Sequence, residues 1–434
     1  MALDPQPLEA MILTKGPETV NLEKPKISSA ARRVSDGAMA GLALALPLSI
    51  AISNLFWGVA LLMVLVTLAV ERPRFRWTGV ELPWVAGIGI AVFSGLLSDR
   101  PAHSLWSLRS EILVVVFLLA AHTGEAPALR QRLSLFAVGA TVAGGLGILQ
   151  KGLGWSAGST PAWAAVLPGK LVHLLCTWGG RAIGFYNHPI TFAEMLLLAG
   201  ALVLGLALVR LRPVWAASGA ILFLAVLASG TRGVWMAMFI TLSLWGFLRR
   251  DRKVLGVFLL LAALSALLVS VSPGLRGRTA SIVNTKSDSS NRIRMGLYAK
   301  SLELVRDHPL VGVGPGNVVI LPSELRWGGS PPDMTWTETH NMYLQSVVER
   351  GLPGLAVFLW LLAAVGRLLW RAARSGPPAL GIFFGFVGLL FAGITETWTN
   401  DSEVVLCFYF LAGTAWALGS RAAPVQNSET KTIL

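Results

Sequence analysis

The chain has 434 residues, of which 54% are hydrophobic and only 14% are charged. Soluble domains carry about 25% charged residues, so this composition excludes an ordinary soluble domain and indicates a polytopic membrane protein. A net charge of +13 is compatible with nucleic-acid binding, but the basic residues lie in short loops between apolar segments, which is typical of membrane topology. No nucleic-acid partner is therefore expected.

Both ends of the chain are predicted to be cytoplasmic tails. Residues 1–36 are polar and charged, contain no apolar run, and end in Ala-Ala-Arg-Arg-Val-Ser-Asp. A cleaved signal peptide would place its apolar region within about the first 30 residues, so none is predicted here. Residues 420–434 form the second tail.

Between the tails, twelve apolar segments predict an all-α integral membrane protein with about 12 transmembrane helices. They are 37–53, 55–70, 80–97, 108–121, 133–150, 189–209, 213–229, 233–248, 254–272, 352–370, 379–395 and 403–419. Helices 1–9 thus occupy 37–272 and helices 10–12 occupy 352–419. Several segments are shorter than the usual span of about 20 residues, and we expect these helices to be tilted or extended by interfacial residues.

Basic residues mark alternate, even-numbered exits of these segments, which predicts that those exits face the cytoplasm. They are Arg72, Arg74, Arg76, Arg130, Arg132, Arg210, Arg212, Arg249, Arg250, Arg252, Lys253, Arg367, Arg371 and Arg374, and Arg32, Arg33 and Arg421 belong to the same side. The opposite side receives the loops 151–188 and 273–351. The longer loop is basic as well, which the rule permits because long loops cross largely regardless of charge.

Arg232 lies in the turn Ala-Ser-Gly-Thr-Arg-Gly-Val-Trp between two apolar segments, on the side away from the cytoplasm. An ion near hydrocarbon costs several kcal/mol unless it is paired or reaches the interface, so the default interpretation is functional. The alternative is an interfacial arginine that only extends its side chain to water.

Arg292 and Arg294 follow a run of helix-capping residues in the long loop. The segment 291–306 places Ile293, Leu297, Tyr298, Leu304 and Val305 broadly on one face, which predicts an amphipathic helix lying on the membrane. Two guanidinium groups at a helix N-terminus make an anion site, and the alternative is a solvated charged face. Arg181, ahead of segment 189–209, belongs to a weaker patch in which His188 is predicted to be structural.

Other features argue against further chemistries. Val311-Gly-Val-Gly-Pro-Gly-Asn317 lacks the Gly-Lys-Ser/Thr ending of a nucleotide-binding loop and is predicted to be a tight turn. The sequence contains no Asp-x-Asp or His-x-x-x-His pair, so neither a metal site nor a cofactor is expected. Cys176 and Cys407 provide no disulfide framework, and whether they pair with each other stays open.

The segment Glu338-Thr-His-Asn-Met-Tyr-Leu-Gln closes the long loop where an apolar segment begins. The imidazole of His340 has an ordinary pKa of about 6.5, so it accepts a proton near neutrality. The alternative is a helix start that Thr339 or Asn341 caps, with His340 bonded to backbone.

Arginines on the same side suit a diphosphate head on a lipid tail, because guanidinium binds phosphate bidentately. Together these features indicate glycosyl transfer from a lipid-linked sugar donor.

The motif His340-Asn341, nine residues, Gly351, two residues, Gly354 resembles that of the bacterial O-antigen ligases, or lipopolysaccharide ligases. They belong to the wider O-antigen ligase and polymerase superfamily. The Ser-Gly-Thr-Arg232-Gly turn and the stretch 307–317 also resemble that superfamily, as does the layout of twelve spans with one long periplasmic loop. The resemblance covers most of the chain after about residue 180.

This resemblance implies a metal-independent, inverting glycosyltransferase of the bacterial inner membrane, similar in fold to the C-type glycosyltransferases, with its site facing the periplasm. The donor would be undecaprenyl-diphosphate-linked O-antigen and the acceptor a sugar of lipid A–core, both among membrane lipids. It also implies that His340 is the base and that Arg232 binds the diphosphate. Arg292 is assigned the same binding role, for which Arg294 is a competitor. Arg181 is added from its charge and location alone.

Glu338 is the rival base, two residues from His340. If 339–350 is helical, residues two apart point about 200° away from each other, so both cannot face one hydroxyl. His340 opens the motif, and Glu338 is then expected to orient the imidazole from behind, with Asn341, Gly351 and Gly354 as further supporting residues.

Three alternatives remain. An O-antigen polymerase or a protein O-glycosylating ligase of the same superfamily would share this pattern and differ in acceptor. A non-enzymatic flippase or transporter of lipid-linked sugars would place ionisable groups at mid-membrane on paired helices. Only Glu194 lies well inside a segment, which favours chemistry at one face.

Overall fold

The computed structural model describes residues 23–71, 76–156, 159–210, 212–283, 288–325, 328 and 330–422. Within these ranges the regular structure is helical, and strand-like pairing is confined to two isolated bridges, Trp178–Arg181 and Ile320–Trp336. The predicted all-α class is thereby confirmed. The outer parts of both predicted tails, together with Arg72 and Arg74, lie outside the described residues.

Sixteen α-helices lie within the described ranges. They are α1 Glu23–Ala45, α2 Ile50–Glu71, α3 Glu81–Leu96, α4 Pro101–Ser107, α5 Val114–His122, α6 Ala126–Leu153, α7 Gly169–Leu175, α8 Pro189–Val209, α9 Pro213–Ser229, α10 Arg232–Arg249, α11 Arg252–Val271, α12 Pro273–Val283, α13 Ser289–Asp307, α14 Met342–Ala372, α15 Pro377–Ala392 and α16 Ser402–Ala422. A 3₁₀ segment, Leu108–Leu113, joins α4 to α5.

Seven helical segments of the described chain are long and apolar enough to cross a membrane. They are Ile50–Glu71, Pro101–His122, Ala126–Leu153, Pro189–Val209, Arg252–Val271, Met342–Ser375 and Ser402–Arg421, and α3, α9 and α15 are shorter apolar helices. The count of twelve therefore stays a prediction. In α8 and α16, 67% of the most apolar 18-residue stretch is buried inside the protein, against 6% in α11. α8 and α16 therefore lie at the centre of the bundle.

The first predicted segment, 37–53, is wrong in its bounds. α1 already begins at Glu23, inside the predicted tail, and the chain turns at 46–49 before α2 begins. Pro47 explains the turn, because proline has no backbone N–H and disfavours the helical conformation of the residue before it. α1 packs along α2, and Arg32 pairs with Glu71, which places the predicted basic tail residue at the far end of α2.

The long loop 273–351 is largely helical, through α12, α13 and the first turns of α14. α13 matches the predicted amphipathic helix 291–306, but its apolar face packs against protein. Leu297 is fully buried in a cluster with Val318, Ile320 and Leu325. An apolar helix face is equally well covered by protein or by lipid, so the sequence pattern alone did not distinguish the two.

α14 is interrupted at Gly351, whose φ of 68° and ψ of −175° are not helical. A Cβ atom at this position would collide with the carbonyl group of Leu310, so only glycine fits here. The interruption separates a short segment, 342–350, from the long apolar part of the helix.

The glycine-rich stretch 311–317 packs on the end of that short segment. The N–H groups of Val313 and Gly314 donate to the carbonyls of Val348 and Glu349 at 2.9 and 3.0 Å. They satisfy acceptors that a helix end leaves unpaired. The stretch is a tight turn, as predicted, and its donors serve the fold.

Candidate active site

His340 lies in the extended segment just before α14, and its backbone adopts the left-handed region with φ of 50°. Such a conformation is uncommon outside glycine and costs about 1–3 kcal/mol, so the surrounding structure must impose it. The Tyr298 hydroxyl donates to the His340 carbonyl at 3.1 Å. Asn341 caps α14 by accepting from the N–H groups of Tyr343 and Leu344, each at 3.0 Å.

The same segment is tied to the loop between α15 and α16. The Asn341 side-chain amide donates to the Ile394 carbonyl at 2.9 Å. The Met342 N–H donates to the Gly393 carbonyl, also at 2.9 Å. These bonds bring Glu396, which is 56 residues further along the chain, against the imidazole.

Glu396 is the closest partner of His340. Its Oε2 atom lies 3.0 Å from His340 Nδ1, and its Oε1 atom accepts from the Arg294 guanidinium. Burial alone would raise the pKa of Glu396, but the charge of Arg294 and the His340 hydrogen bond lower it, so the carboxylate is ionised. An ionised carboxylate only accepts, so His340 Nδ1 carries a proton and Nε2 is left to act as the base.

The pKa of His340 is raised. Burial works against the imidazolium, but the hydrogen bond and charge of Glu396, followed by the charge of Glu338, more than offset it. Arg294 acts in the opposite direction to a smaller extent. The pair is therefore suited to hold a proton after taking it from a substrate.

Glu338 also approaches His340, on the Nδ1 side of the ring. Its Oε1 atom lies 3.8 Å from His340 Nδ1, so both carboxylates approach the same ring nitrogen. The reason is that α14 begins only at Met342, so Glu338 and His340 are not on a helix and are not held about 200° apart. Glu396 makes the direct hydrogen bond, which is the role expected of Glu338. Burial raises the pKa of Glu338, with His340 opposing and Glu396 adding to the effect.

A cavity of about 250 Å³ opens beside this pair. It is lined by His188, Ile190, Thr191, Met334, Thr335, Trp336, Thr337, Glu338, His340, Glu396, Thr397 and Asp401. Asp401 accepts from the Thr191 hydroxyl at 2.9 Å. Burial raises the pKa of Asp401 to about 7; the Thr191 hydrogen bond opposes the shift and neighbouring carboxylates, Glu338 first, add to it.

The structure brings one predicted arginine directly to the pair. Arg294 pairs with Glu396, whereas Arg292 makes no ion pair among the described residues, and the Nε atoms of both are buried there without a partner. Two residues apart on one helix, the side chains point about 200° away from each other. Arg294 therefore faces His340.

Arg232 and Arg181 lie further from the imidazole and are held by other groups. Arg232 is 8% exposed, pairs with Asp288 at 2.9 Å and donates to the Ser281 carbonyl at 3.0 Å. Arg181 donates to the Ser229 carbonyl and the Thr231 hydroxyl, each at 2.8 Å.

The arginines nevertheless form one basic region at the start of α13. Burial lowers the pKa of Arg181 to about 10, with the charges of Arg278, Arg294 and Arg232 contributing and that of Glu396 opposing. Arg278 had not been singled out from the sequence. These guanidinium groups are close enough to act on one another, which is what a shared anion site requires.

Several predicted supporting features have structural roles. Gly351 permits the break in α14, and at Gly354 a Cβ atom would collide with the side chain of Arg350.

Cys176 and Cys407 are both free. No group of three or more His, Cys, Asp or Glu residues arranged to hold a metal ion occurs in the part of the chain that the structure describes.

Fold and site together define a helical protein with candidate membrane spans, in which a histidine–carboxylate pair lies beside a basic region. Residues 217–359 match the family described as O-antigen ligase. The chain is also similar to the O-antigen ligase of Salmonella typhimurium strain LT2, with 28% identity over 180 residues. The alignment covers 39% of this chain and 45% of that protein, so the chain spans less than half of the relative's length. Both matches confirm the resemblance to the O-antigen ligase superfamily.

Proposed function

We propose that this protein is an O-antigen ligase that transfers O-antigen polysaccharide from undecaprenyl diphosphate to a sugar of lipid A–core. The observation that carries the proposal is the chain of contacts from His340 through Glu396 to Arg294. It joins a base to a guanidinium in one site, and both His340 and Arg294 lie within the segment that matches the ligase family.

In this proposal His340 Nε2 takes the proton of an acceptor hydroxyl. The hydroxyl oxygen forms a bond to the anomeric carbon of the donor sugar from the face opposite the diphosphate. The bond between that carbon and the diphosphate oxygen breaks, the leaving group departs with the electron pair, and the configuration inverts. Glu396 stabilises the imidazolium that results, as a carboxylate does behind a catalytic histidine.

Arg294 is assigned the main contact with the leaving diphosphate, because it is the arginine that adjoins the base. Its Nη2 atom is engaged by Glu396, while its Nε atom has no partner among the described residues. Arg232, Arg181 and Arg292 complete the proposed diphosphate site. Guanidinium keeps its charge in a poorly hydrated site and binds phosphate in a fork, which suits this role.

The proposed location is the bacterial inner membrane, with the cavity facing the periplasm. Support comes from the alternation of basic loops along the sequence and from the pairing of Arg32 with Glu71 at one end of α1 and α2. Reporter fusions at residues 76, 132, 252 and 372 should report cytoplasm, and fusions at 165 and 310 periplasm. A cytoplasmic result at 310 would place His340 on the wrong side and overturn the proposal.

The direct test uses purified protein with lipid-linked O-antigen and lipid A–core in the presence of EDTA. We expect release of undecaprenyl diphosphate and formation of the ligated product without a divalent metal. Inhibition by EDTA with rescue by magnesium or manganese would contradict the metal-independent mechanism. It would indicate Asp333 and Glu338, the loop carboxylates nearest His340 in sequence, as metal ligands. Absence of any transfer would favour a flippase or transporter.

A deletion strain separates the ligase from its superfamily alternatives. For a ligase, we expect gel analysis to show a lipopolysaccharide core without long chains, with lipid-linked O-antigen accumulating. Core that still carries single repeat units would indicate a polymerase. Unchanged lipopolysaccharide with loss of protein glycosylation would indicate a protein O-glycosylating ligase.

A further inference from the structure

His188 is the residue just before α8, and its side chain caps that helix. Its Nδ1 atom accepts from the Ile190 N–H at 3.4 Å. A neutral imidazole that accepts at Nδ1 carries its proton on Nε2. The structural role predicted from the sequence therefore accounts for one ring nitrogen and leaves the other unexplained.

The ring of His188 forms part of the wall of the cavity beside His340. Trp178 contacts it edge-on, with ring centroids 4.9 Å apart, and so limits its orientation. Within the described residues Nε2 makes no hydrogen bond, so the protein leaves an N–H donor available at the cavity.

His188 is also uncharged at neutral pH. Burial lowers its pKa to about 4, with the nearby charge of Arg181 acting in the same direction and that of His340 adding to it. The carboxylate of Glu396 acts in the opposite direction and does not reverse the shift. The pKa values of the two histidines that line the cavity are thus shifted in opposite directions, since that of His340 is raised.

The cavity also carries three carboxyl groups, those of Glu338, Glu396 and Asp401, together with several threonine hydroxyls that can donate or accept. Glu396 is ionised and Glu338 contributes a further carboxylate. The Thr191 hydroxyl already donates its hydrogen bond to Asp401. A sugar hydroxyl both donates and accepts, so a cavity rich in carboxylates binds it well only if a donor is also present.

We infer that His188 donates a hydrogen bond from Nε2 to an uncharged sugar oxygen, a hydroxyl or a ring oxygen, and so positions that sugar against His340. The inference rests on the proposed function and adds a substrate-binding residue to it. A diphosphate oxygen is the less suitable partner, because the charged guanidinium groups at the start of α13 already supply a site for it.

Two substitutions separate this role from helix capping. His188→Asn keeps a side-chain acceptor that caps a helix well but is too short to donate at the position of Nε2. His188→Gln places an N–H near the position of Nε2 and loses the favourable cap. The experiment measures the KM of donor and acceptor, the binding of sugar-free undecaprenyl diphosphate, and the melting temperature.

For His188→Asn we expect an unchanged melting temperature and a rise of about 10-fold in the KM of one substrate, the size of one lost hydrogen bond. For His188→Gln we expect that KM to return to within about threefold of the wild-type value. If the KM of the acceptor rises, His188 contacts the acceptor sugar. If the KM of the donor rises, it contacts the donor sugar. Binding of undecaprenyl diphosphate should be unchanged in both variants.

Two results would overturn the inference. Full activity in the Asn variant together with a defective Gln variant would show that His188 only caps α8. Weaker binding of sugar-free undecaprenyl diphosphate in the Asn variant would assign the contact to the diphosphate. A wild-type protein that transfers nothing would instead refute the proposed function, so the two failures are distinguishable.

Discussion

The basic region at the start of α13 and the cavity beside His340 adjoin each other, yet they hold their charges in different ways. In the basic region, Arg181 and Arg232 each donate to a backbone carbonyl. Arg232 also pairs with Asp288. These guanidinium groups stay charged in place. In the cavity, His340 and Asp401 have pKa values displaced toward neutrality or above it.

In the proposed mechanism, this difference assigns a separate step to each of the two regions. A region of permanent positive charge stabilises an anion and has no proton to exchange, since arginine does not titrate near neutrality. The cavity holds groups that gain and lose protons in that range. Arg294 belongs to the basic region and contacts Glu396, the carboxylate that holds His340, so the two regions meet at one residue.

The comparison is tested most severely by His340→Ala. A positioned base contributes about 10²- to 10⁴-fold, so transfer should fall by that factor while donor binding, which belongs to the basic region, stays unchanged. Rates of transfer and donor affinity are measured together. A loss of less than about 10-fold with donor affinity reduced would show that the imidazole serves binding and not proton transfer.

Arg294→Lys is expected to have the next largest effect. Lysine keeps the charge but loses the fork that contacts both Glu396 and the diphosphate, so activity should fall about 10- to 100-fold. Arg292→Lys is the matched comparison, because Arg292 lies on the same helix but points away from Glu396 and has only a secondary place in the proposed diphosphate site, so a smaller loss is expected. Equal losses in the two variants would refute the assignment of Arg294 as the main ligand.

Arg232→Lys should act on the donor alone. A lysine at this position cannot contact Ser281 and Asp288 as the guanidinium does, so we expect donor affinity to fall about 10-fold with the KM of the acceptor unchanged. Wild-type donor affinity in this variant would indicate that Arg232 only stabilises the contact between α10 and α13.

Glu338→Gln should have the smallest effect. The carboxylate lies 3.8 Å from His340 Nδ1 and does not make the direct hydrogen bond that Glu396 makes, so a loss of about threefold is expected. Titration of the rate against pH supplies the control. An inactive Glu338→Gln variant beside a merely slowed His340→Ala variant would reverse the roles of the two residues.

Local sequence patterns predicted much of this arrangement. The apolar segments predicted the helical class, and the run of capping residues predicted α13, which begins with Ser289 after its cap, Asp288. The break at Gly351 was not predicted, whereas Asn341 was one of the two candidate caps, with Thr339, for a helix at the His340 motif, and it is the cap. Each of the predicted features depends on a few neighbouring residues, which is why spacing along the chain reveals them.

The partner of His340 could not be predicted in this way. Glu396 is distant in sequence, and hydrogen bonds of the Asn341 amide and the Met342 N–H bring it to the imidazole. One signal did exist: a carboxylate in the short segment between the last two apolar runs, on the same predicted side as His340. Which of several such carboxylates contacts an imidazole depends on tertiary packing. The packing of the apolar face of α13 against protein is a second feature of this kind.

The pH dependence of transfer, compared between wild type and Glu396→Gln, tests the central claim most directly. His340 must be unprotonated to accept a proton, so the wild-type rate should rise with pH through one step that lies above the ordinary histidine value, because Glu396 raises the pKa. Removing that charge leaves burial and Arg294, which lower the pKa, opposed only by the weaker effect of Glu338, so the step should move to lower pH and the plateau rate should fall. An unchanged step in the Glu396→Gln variant would contradict the claim that this carboxylate holds His340 as the base.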